Sequence, residues 1–373
     1  MVPWGKAMNN HDRLRQSATW LTASRVWWAV ALSVAIAVGV VVVSTIQGAS
    51  WSELRAVEVD WGWLVVAMGL VVLRDLGYIL RLMVLGRGSL NAGKATSSIA
   101  LWELASALTP SVVGGSAVAS FILHRNGLTW GRSLAVVMTT ALLDESFFLL
   151  AVPATALIAG WGPFFPEGAA WIQGSVATVF AGGYAFMMGL ALCLSTALFW
   201  APHRVQSILK WTIERTWLRR WHARGTMLAA DLLEASVDLR SMSMGRWTAA
   251  LGATVMSWLA RFLTLNALLM AFVAPLLSGQ TVNQLELWAR QLSMWTVLLI
   301  SPTPGSSGLA ELALPTFVSD ALPMALTATV WAAVVLTWRG LTYHLYLFLG
   351  GTLMPFWIAH TSGSAARKFV DDE

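Results

Sequence analysis

A single cysteine, Cys193, rules out an intramolecular disulfide and any thiolate metal cluster, and its apolar surroundings suggest a small buried hydrophobe. The six histidines show no HExxH or other ligand spacing, so no metal site and no cofactor are expected. Gly88 to Lys94 spells G-x-x-x-x-G-K, but Ala95 stands where a phosphate loop needs Ser or Thr, which excludes a nucleotide site of that kind. Charge is the largest deficit. Only 12% of the 373 residues are charged, against ~25% in an ordinary soluble domain.

What fills the gap is apolar sequence, 57% of the chain, arranged in long runs. Val26 to Ile46, Trp61 to Leu85, Ser133 to Gly160, Gly174 to Trp200, Trp247 to Leu277 and Met324 to Ile358 each exceed the roughly 20 residues a helix needs to cross a bilayer. The expected fold is an all-α polytopic membrane protein with about six spans. Trp61, Trp63, Trp161, Trp171, Trp200, Trp247 and Trp357 lie near span ends, where an indole prefers the headgroup layer. The net charge of +5 reflects loop topology in such a chain, and no nucleic acid is expected. The polar start before Val26 does not resemble a cleaved leader, so the first span is expected to remain as an anchor.

Basic residues set the orientation. Lys6, Arg13, Arg15 and Arg25 precede the first span and Glu53, Glu58 and Asp60 follow it, which places the N-terminus in the cytoplasm. Ile99 to Leu123 has basic residues on both flanks: Arg87 and Lys94 before it, Arg125 and Arg132 after it. It is too short for two crossings at ~1.5 Å per residue, so it should enter and leave by one face, turning at Thr109 to Ala117 with Pro110, Gly114 and Gly115. A second interrupted segment, between Leu277 and Pro323, has weakly charged flanks and should dip in from outside, turning at Ser301 to Glu311, SPTPGSSGLAE. The tryptophan-studded basic loop 201–246 suits an interfacial helix or a solvated linker. The resulting plan is a cytoplasmic segment 1–25, one transmembrane domain 26–358 and a cytoplasmic tail 359–373. Within the domain, 61–160 and 247–358 form an inverted repeat with two opposed re-entrant helical hairpins. Paired interrupted helices of this kind point to a transporter site near the midplane, where half-helix N-termini attract anions.

Charges within spans default to functional or paired positions. Arg74, Asp144, Arg261 and Arg339 lie well inside the predicted spans. Asp144 and Arg339 fall at matching offsets after Pro110 and Pro304, which predicts an ion pair between them. Arg81 lies near enough to the cytoplasmic end to snorkel. The expected substrate-binding set is Arg74, Thr109, Pro110, Gly114, Gly115, Asp144, Arg261, Pro304, Gly305, Ser306, Gly308, Glu311 and Arg339. Glu311 either gates release through its protonation or caps its own helix.

The succession of a span with Arg, then P-x-x-x-G-G, a span with Asp, a basic loop and S-P-x-P-G-x-x-G-x-x-E resembles the transmembrane domain of lysylphosphatidylglycerol synthases and their stand-alone, flippase-like relatives, over roughly Val57 to Phe356. The chain departs from that pattern at Ser306, Ser307 and Ala141. The resemblance implies movement of a lipid headgroup, or of a polyprenyl-phosphate-linked sugar, across the cytoplasmic membrane. Bifunctional relatives continue into an aminoacyl-transfer domain, whereas only about fifteen residues follow Ile358, so the synthase activity is expected to be absent. Membrane lipids with an anionic headgroup are the expected partners, and a homo-oligomer is left open. A membrane-embedded enzyme acting on a lipid phosphate and a non-transporting envelope scaffold stand as alternatives.

Overall fold

The computed structural model describes residues 51–109, 111–167, 170–201, 239–299, 301 and 303–371, with isolated positions between 31 and 39 and between 203 and 237. The expected first span, segment 1–25, Pro110 and most of the basic loop lie outside the described residues. The described residues form helices and turns, with no strand among them. The helices are α1 (Trp51–Ala56), α2 (Trp61–Leu85), α3 (Ala92–Leu108), α4 (Ser111–Arg125), α5 (Trp130–Ala159), α6 (Ala170–Ser195), α7 (Met244–Val273), α8 (Gln284–Leu298), α9 (Leu309–Val318), α10 (Ala328–Arg339) and α11 (Leu345–Asp371).

Short polar residues start these helices. Asp60 accepts from the Gly62 and Trp63 amides, Asn91 from Lys94, Thr129 from Arg132, Asn283 from Leu285 and Glu286, and Thr327 from Val330. Each cap satisfies donors that the first helical turn leaves free. Among the described residues, four helical runs are long and apolar enough to cross a membrane: Trp61–Leu85, Trp130–Ala159, Gly174–Trp200 and Met244–Leu276. They match the second to fifth expected spans. The sixth, Met324 to Ile358, is divided into α10, a π-helical turn at Gly340–His344 and α11.

Apolar clusters fill the interior, but charged side chains are buried among them and much of the exterior is apolar. Arg74, Arg81, Arg290, Arg339, Glu145, Glu311 and Gln291 are buried, while Trp61, Val65, Val72, Leu76 and Leu80 of α2 face outward. An apolar exterior of this extent suits contact with lipid. Cys193, expected inside, is exposed on α6 beside exposed Leu192, because that face of the helix is part of the apolar exterior. Trp357, expected at an interface, is buried and donates to Asn126 Oδ1 at 2.8 Å.

Helices α2 and α7 pack along one another at the centre. Gly77 permits this, since a Cβ there would lie 2.9 Å from both the Ala253 carbonyl oxygen and Ser257 Cβ. The two short helices α3 and α4 form a hairpin in which Gly115 sits against Ser106. Its open ends lie together, where Asn126 bonds Ser98 Oγ at 2.7 Å and Arg132 donates to the Gly86 carbonyl at 2.9 Å. Helices α8 and α9 form the second hairpin. Its open ends meet at the other end of the bundle, where Arg290 of α8 pairs with Asp320 at 2.9 Å, near the end at which the Asp60 amide donates to the Ala271 carbonyl. The tips converge on Tyr343. Its ring covers Gly305, and its hydroxyl bonds the Ala107 carbonyl at 3.4 Å.

Candidate functional site

Between the hairpin tips lies a cavity of about 340 Å³. Helix α2 contributes Arg74, Tyr78 and Arg81, spaced to share one face. Hairpin α3/α4 contributes Trp102, Glu103 and Ser106, and the second hairpin contributes Gln291, Trp295, Gly305 and Ser306. Asp144 of α5, Arg261 of α7 and Arg339 of α10 complete the charged lining, with Tyr343 in the π-helical turn and Tyr346 just beyond it.

Each of the four arginines has its own carboxylate. Arg74 donates through Nε and Nη2 to Asp75 Oδ1 at 3.1 and 2.9 Å, and the Tyr346 hydroxyl holds Asp75 Oδ2 at 2.6 Å. Arg81 meets Asp144 at 2.5 and 3.3 Å, with Trp258 Nε1 donating to the same carboxylate at 2.8 Å. Arg339 pairs with Glu311 at 2.7 Å and also donates to the Gly305 carbonyl and Ser307 Oγ. The fourth pair is looser. Arg261 Nη2 lies 3.6 Å from Glu103 Oε1, and Arg261 Nε is buried without a hydrogen-bond partner. The guanidinium is flanked by the rings of Tyr78, Trp258 and Trp295, with centroids 5.0–5.8 Å away, which attract cations.

The pair expected between Asp144 and Arg339 is therefore not formed. Equal depth along two helices leaves their facing undetermined, and each residue turns to a nearer partner. Arg81 does not snorkel: it is 4% exposed and held by Asp144 and Thr254. Of the expected set, Arg74, Asp144, Arg261, Gly305, Ser306 and Arg339 line the cavity. Thr109 closes α3 by bonding the Ala105 carbonyl, and Pro304 opens the short turn before α9. Gly114 and Gly115 lie within α4. Pro110 is outside the described residues. Glu311 sits one layer behind the lining and caps its own helix, accepting from the Gly308 amide at 2.7 Å. The Ser306 and Ser307 amides are spent on the carbonyls of Thr303 and Pro304. The turn thus uses these N–H groups internally, and the side chains of Arg261 and its neighbours are the donors directed at the cavity.

Sequence reasoning missed Glu103, Tyr346 and the aromatic group around Arg261. Glu103 was legible, being a carboxylate inside an apolar re-entrant stretch, where the rule for buried charges applies as it does in a full span. The tyrosines gave no such signal.

The sequence pattern of the family described as lysylphosphatidylglycerol synthase TM region matches residues 27–350, a range that includes both hairpins and every arginine of the cavity. The chain belongs to that family. It is also 25% identical over 243 residues to a UPF0104 membrane protein of Archaeoglobus fulgidus, a match covering 65% of this chain and 70% of the archaeal one. No solved structure matches. The family assignment and the apolar helices together make this a membrane protein of a family named for lipid synthesis.

Proposed function

We propose that the chain translocates the phosphate-bearing headgroup of a lipid, either a phospholipid or a polyprenyl-phosphate lipid, across the cytoplasmic membrane while the hydrocarbon chains stay in the bilayer. The observation that carries this reading is the cavity at the tips of the two hairpins, lined by four arginines. Buried charges inside a membrane bundle are costly and mark transport pathways, and irregular backbone at such depth is tolerated where it lines a cavity. Packing supports an inverted repeat: α2 and α7 meet at the centre, α3 packs on α11, and α8 packs on α5. In this arrangement each hairpin leans on the last helix of the other half. The N- and C-termini are cytoplasmic by the distribution of basic loops.

Arg261 is the headgroup ligand, because its guanidinium has the loosest pairing and an unused donor. Asp75, Asp144, Glu103 and Glu311 are all matched to arginines, which favours binding and transport over acid–base chemistry on a lipid phosphate. The test is reconstitution into vesicles carrying a trace of acyl-labelled fluorescent phosphatidylglycerol or phosphatidylethanolamine, with dithionite added outside. Wild-type protein is expected to expose the inner-leaflet probe of at least one lipid to quenching, and Arg261→Gln is expected to stop it. Translocation by neither probe, or equal translocation by the variant, overturns the proposal.

A further inference from the structure

Every arginine lining the cavity is already paired with a carboxylate, in the lining or just behind it. Four guanidinium groups, Arg74, Arg81, Arg261 and Arg339, face four carboxylates, Asp75, Asp144, Glu103 and Glu311. A headgroup with net negative charge would bring an uncompensated charge to membrane depth. A phosphate that takes Arg261 from Glu103 would also leave that carboxylate without its cation. Both costs arise because a charge in a low-dielectric interior is stable only when paired. A headgroup bringing its own cation removes both.

Resting on the translocation reading above, we infer that the Glu103–Arg261 pair is an exchange site for a zwitterionic phospholipid headgroup, in which the phosphate replaces Glu103 on Arg261 and the headgroup ammonium replaces Arg261 on Glu103. The length of this pair and the exposure of its arginine set it apart from the other three, and two further features suit the exchange. It is the longest of the four, at 3.6 Å, and its side chains are 18% and 23% exposed to the cavity. Arg261 Nε has no partner to lose and can join the guanidinium's other donors on a phosphate. The π faces of Tyr78, Trp258 and Trp295 surround the exchange point, where they hold the guanidinium in place and present attractive surface to an ammonium. The other pairs are bound too closely to exchange. Arg81–Asp144 is bidentate, Arg74–Asp75 is locked by Tyr346, and Arg339–Glu311 is tied to the hairpin backbone.

Glu103 is then a specificity-determining residue, selecting against lipids that carry a phosphate alone. The same vesicle measurement tests this with two probes, zwitterionic phosphatidylethanolamine and anionic phosphatidylglycerol, labelled on the acyl chain so that the headgroups stay native. Wild-type protein is expected to move the zwitterionic probe at least about tenfold faster, since the anionic probe leaves one charge unpaired at this depth. Glu103→Gln keeps the shape and removes the charge, and is expected to reverse the preference by slowing the zwitterionic probe and speeding the anionic one. Arg261→Lys, which keeps the charge and loses the fork of donors, is expected to slow both probes and leave their ratio on the zwitterionic side. Should Glu103→Gln fail to yield folded protein, the wild-type ratio and the Arg261→Lys ratio decide. Equal or anionic-preferring transport by the wild type, or a ratio unmoved by Glu103→Gln, overturns the exchange site while translocation itself stands. Movement of neither probe by the wild type removes the translocation reading beneath it.

Discussion

The two hairpins share a plan and differ in how they are held. In the second, α8/α9, Arg339 reaches from α10 to Glu311 at 2.7 Å and to the Gly305 carbonyl and Ser307 hydroxyl, with both charged side chains under 10% exposed. In the first, α3/α4, the corresponding tether is Glu103 to Arg261 of α7, at 3.6 Å and partly open to the cavity. A tight buried pair anchors a broken helix whose own backbone is spent on turns. A loose pair leaves a cation available. On the proposed translocation reading, the asymmetry would assign anchoring to the second hairpin and headgroup binding to the first.

The sharpest way to break this comparison is to remove one partner from each tether. Glu311→Gln strands a buried guanidinium and is expected to cost ~3–5 kcal/mol, lowering the apparent unfolding temperature in detergent and the yield of monodisperse protein. Glu103→Gln is expected to cost clearly less than Glu311→Gln, because its pair is longer and partly open to the cavity. Equal losses in the two variants would dissolve the distinction.

Next in size is Gly305→Ala. Gly305 has φ +56°, and a Cβ there would lie 2.3 Å from Tyr343 Cε2. Left-handed backbone costs roughly 1–2 kcal/mol for an L residue, and the clash adds about 1–3 kcal/mol. In a Tyr343→Ala background the clash part should vanish, so a double-mutant cycle on thermal stability reads the coupling directly. Additive costs would show that the ring does not sit over the hairpin tip.

The Asp144 partnership sharpens the same contrast. Asp144→Asn alone is expected to lose ~3 kcal/mol or more, and the swap Asp144→Arg with Arg81→Asp should recover part of it. The swap with Arg339→Asp should recover none, since Arg339 belongs to the second hairpin. Recovery with Arg339 but not Arg81, measured by folded yield, would reverse the assignment.

The smallest perturbation tests the opposed entry of the hairpins. Lys94→Cys and Ser278→Cys are exposed substitutions, each in a Cys193→Ala background, and are expected to change stability by less than about 0.5 kcal/mol. An impermeant thiol reagent on intact cells should label position 278 and leave 94 unlabelled. Labelling of both positions, or of 94 alone, would end the opposed-hairpin arrangement.

Much of the frame is legible in sequence because membranes demand it. Runs such as Trp61–Leu85 and Gly174–Trp200 appear unchanged as helices, since a spanning segment must satisfy its own backbone and stay apolar for its full length. The hairpins were legible through their flanks, where Lys94 and Arg132 bracket a stretch too short to cross twice. Arg74, Asp144, Arg261 and Arg339 could be picked out one at a time, as charges with no other reason to lie at that depth.

Partnership was beyond that reach. Sequence position sets a residue's depth along a helix, but which way it faces depends on how helices rotate and on interruptions such as the π-helical turn at Gly340–His344, which brings Tyr343 and Tyr346 to the cavity. Tertiary packing alone turned Asp144 toward Arg81 and Arg339 toward Glu311, and left Arg261 the least committed of the four. The physical reason is range. Apolar length and backbone satisfaction act within one segment and are written locally, whereas an ion pair across 63 residues, like Arg81 with Asp144, exists only after the helices carrying it have packed.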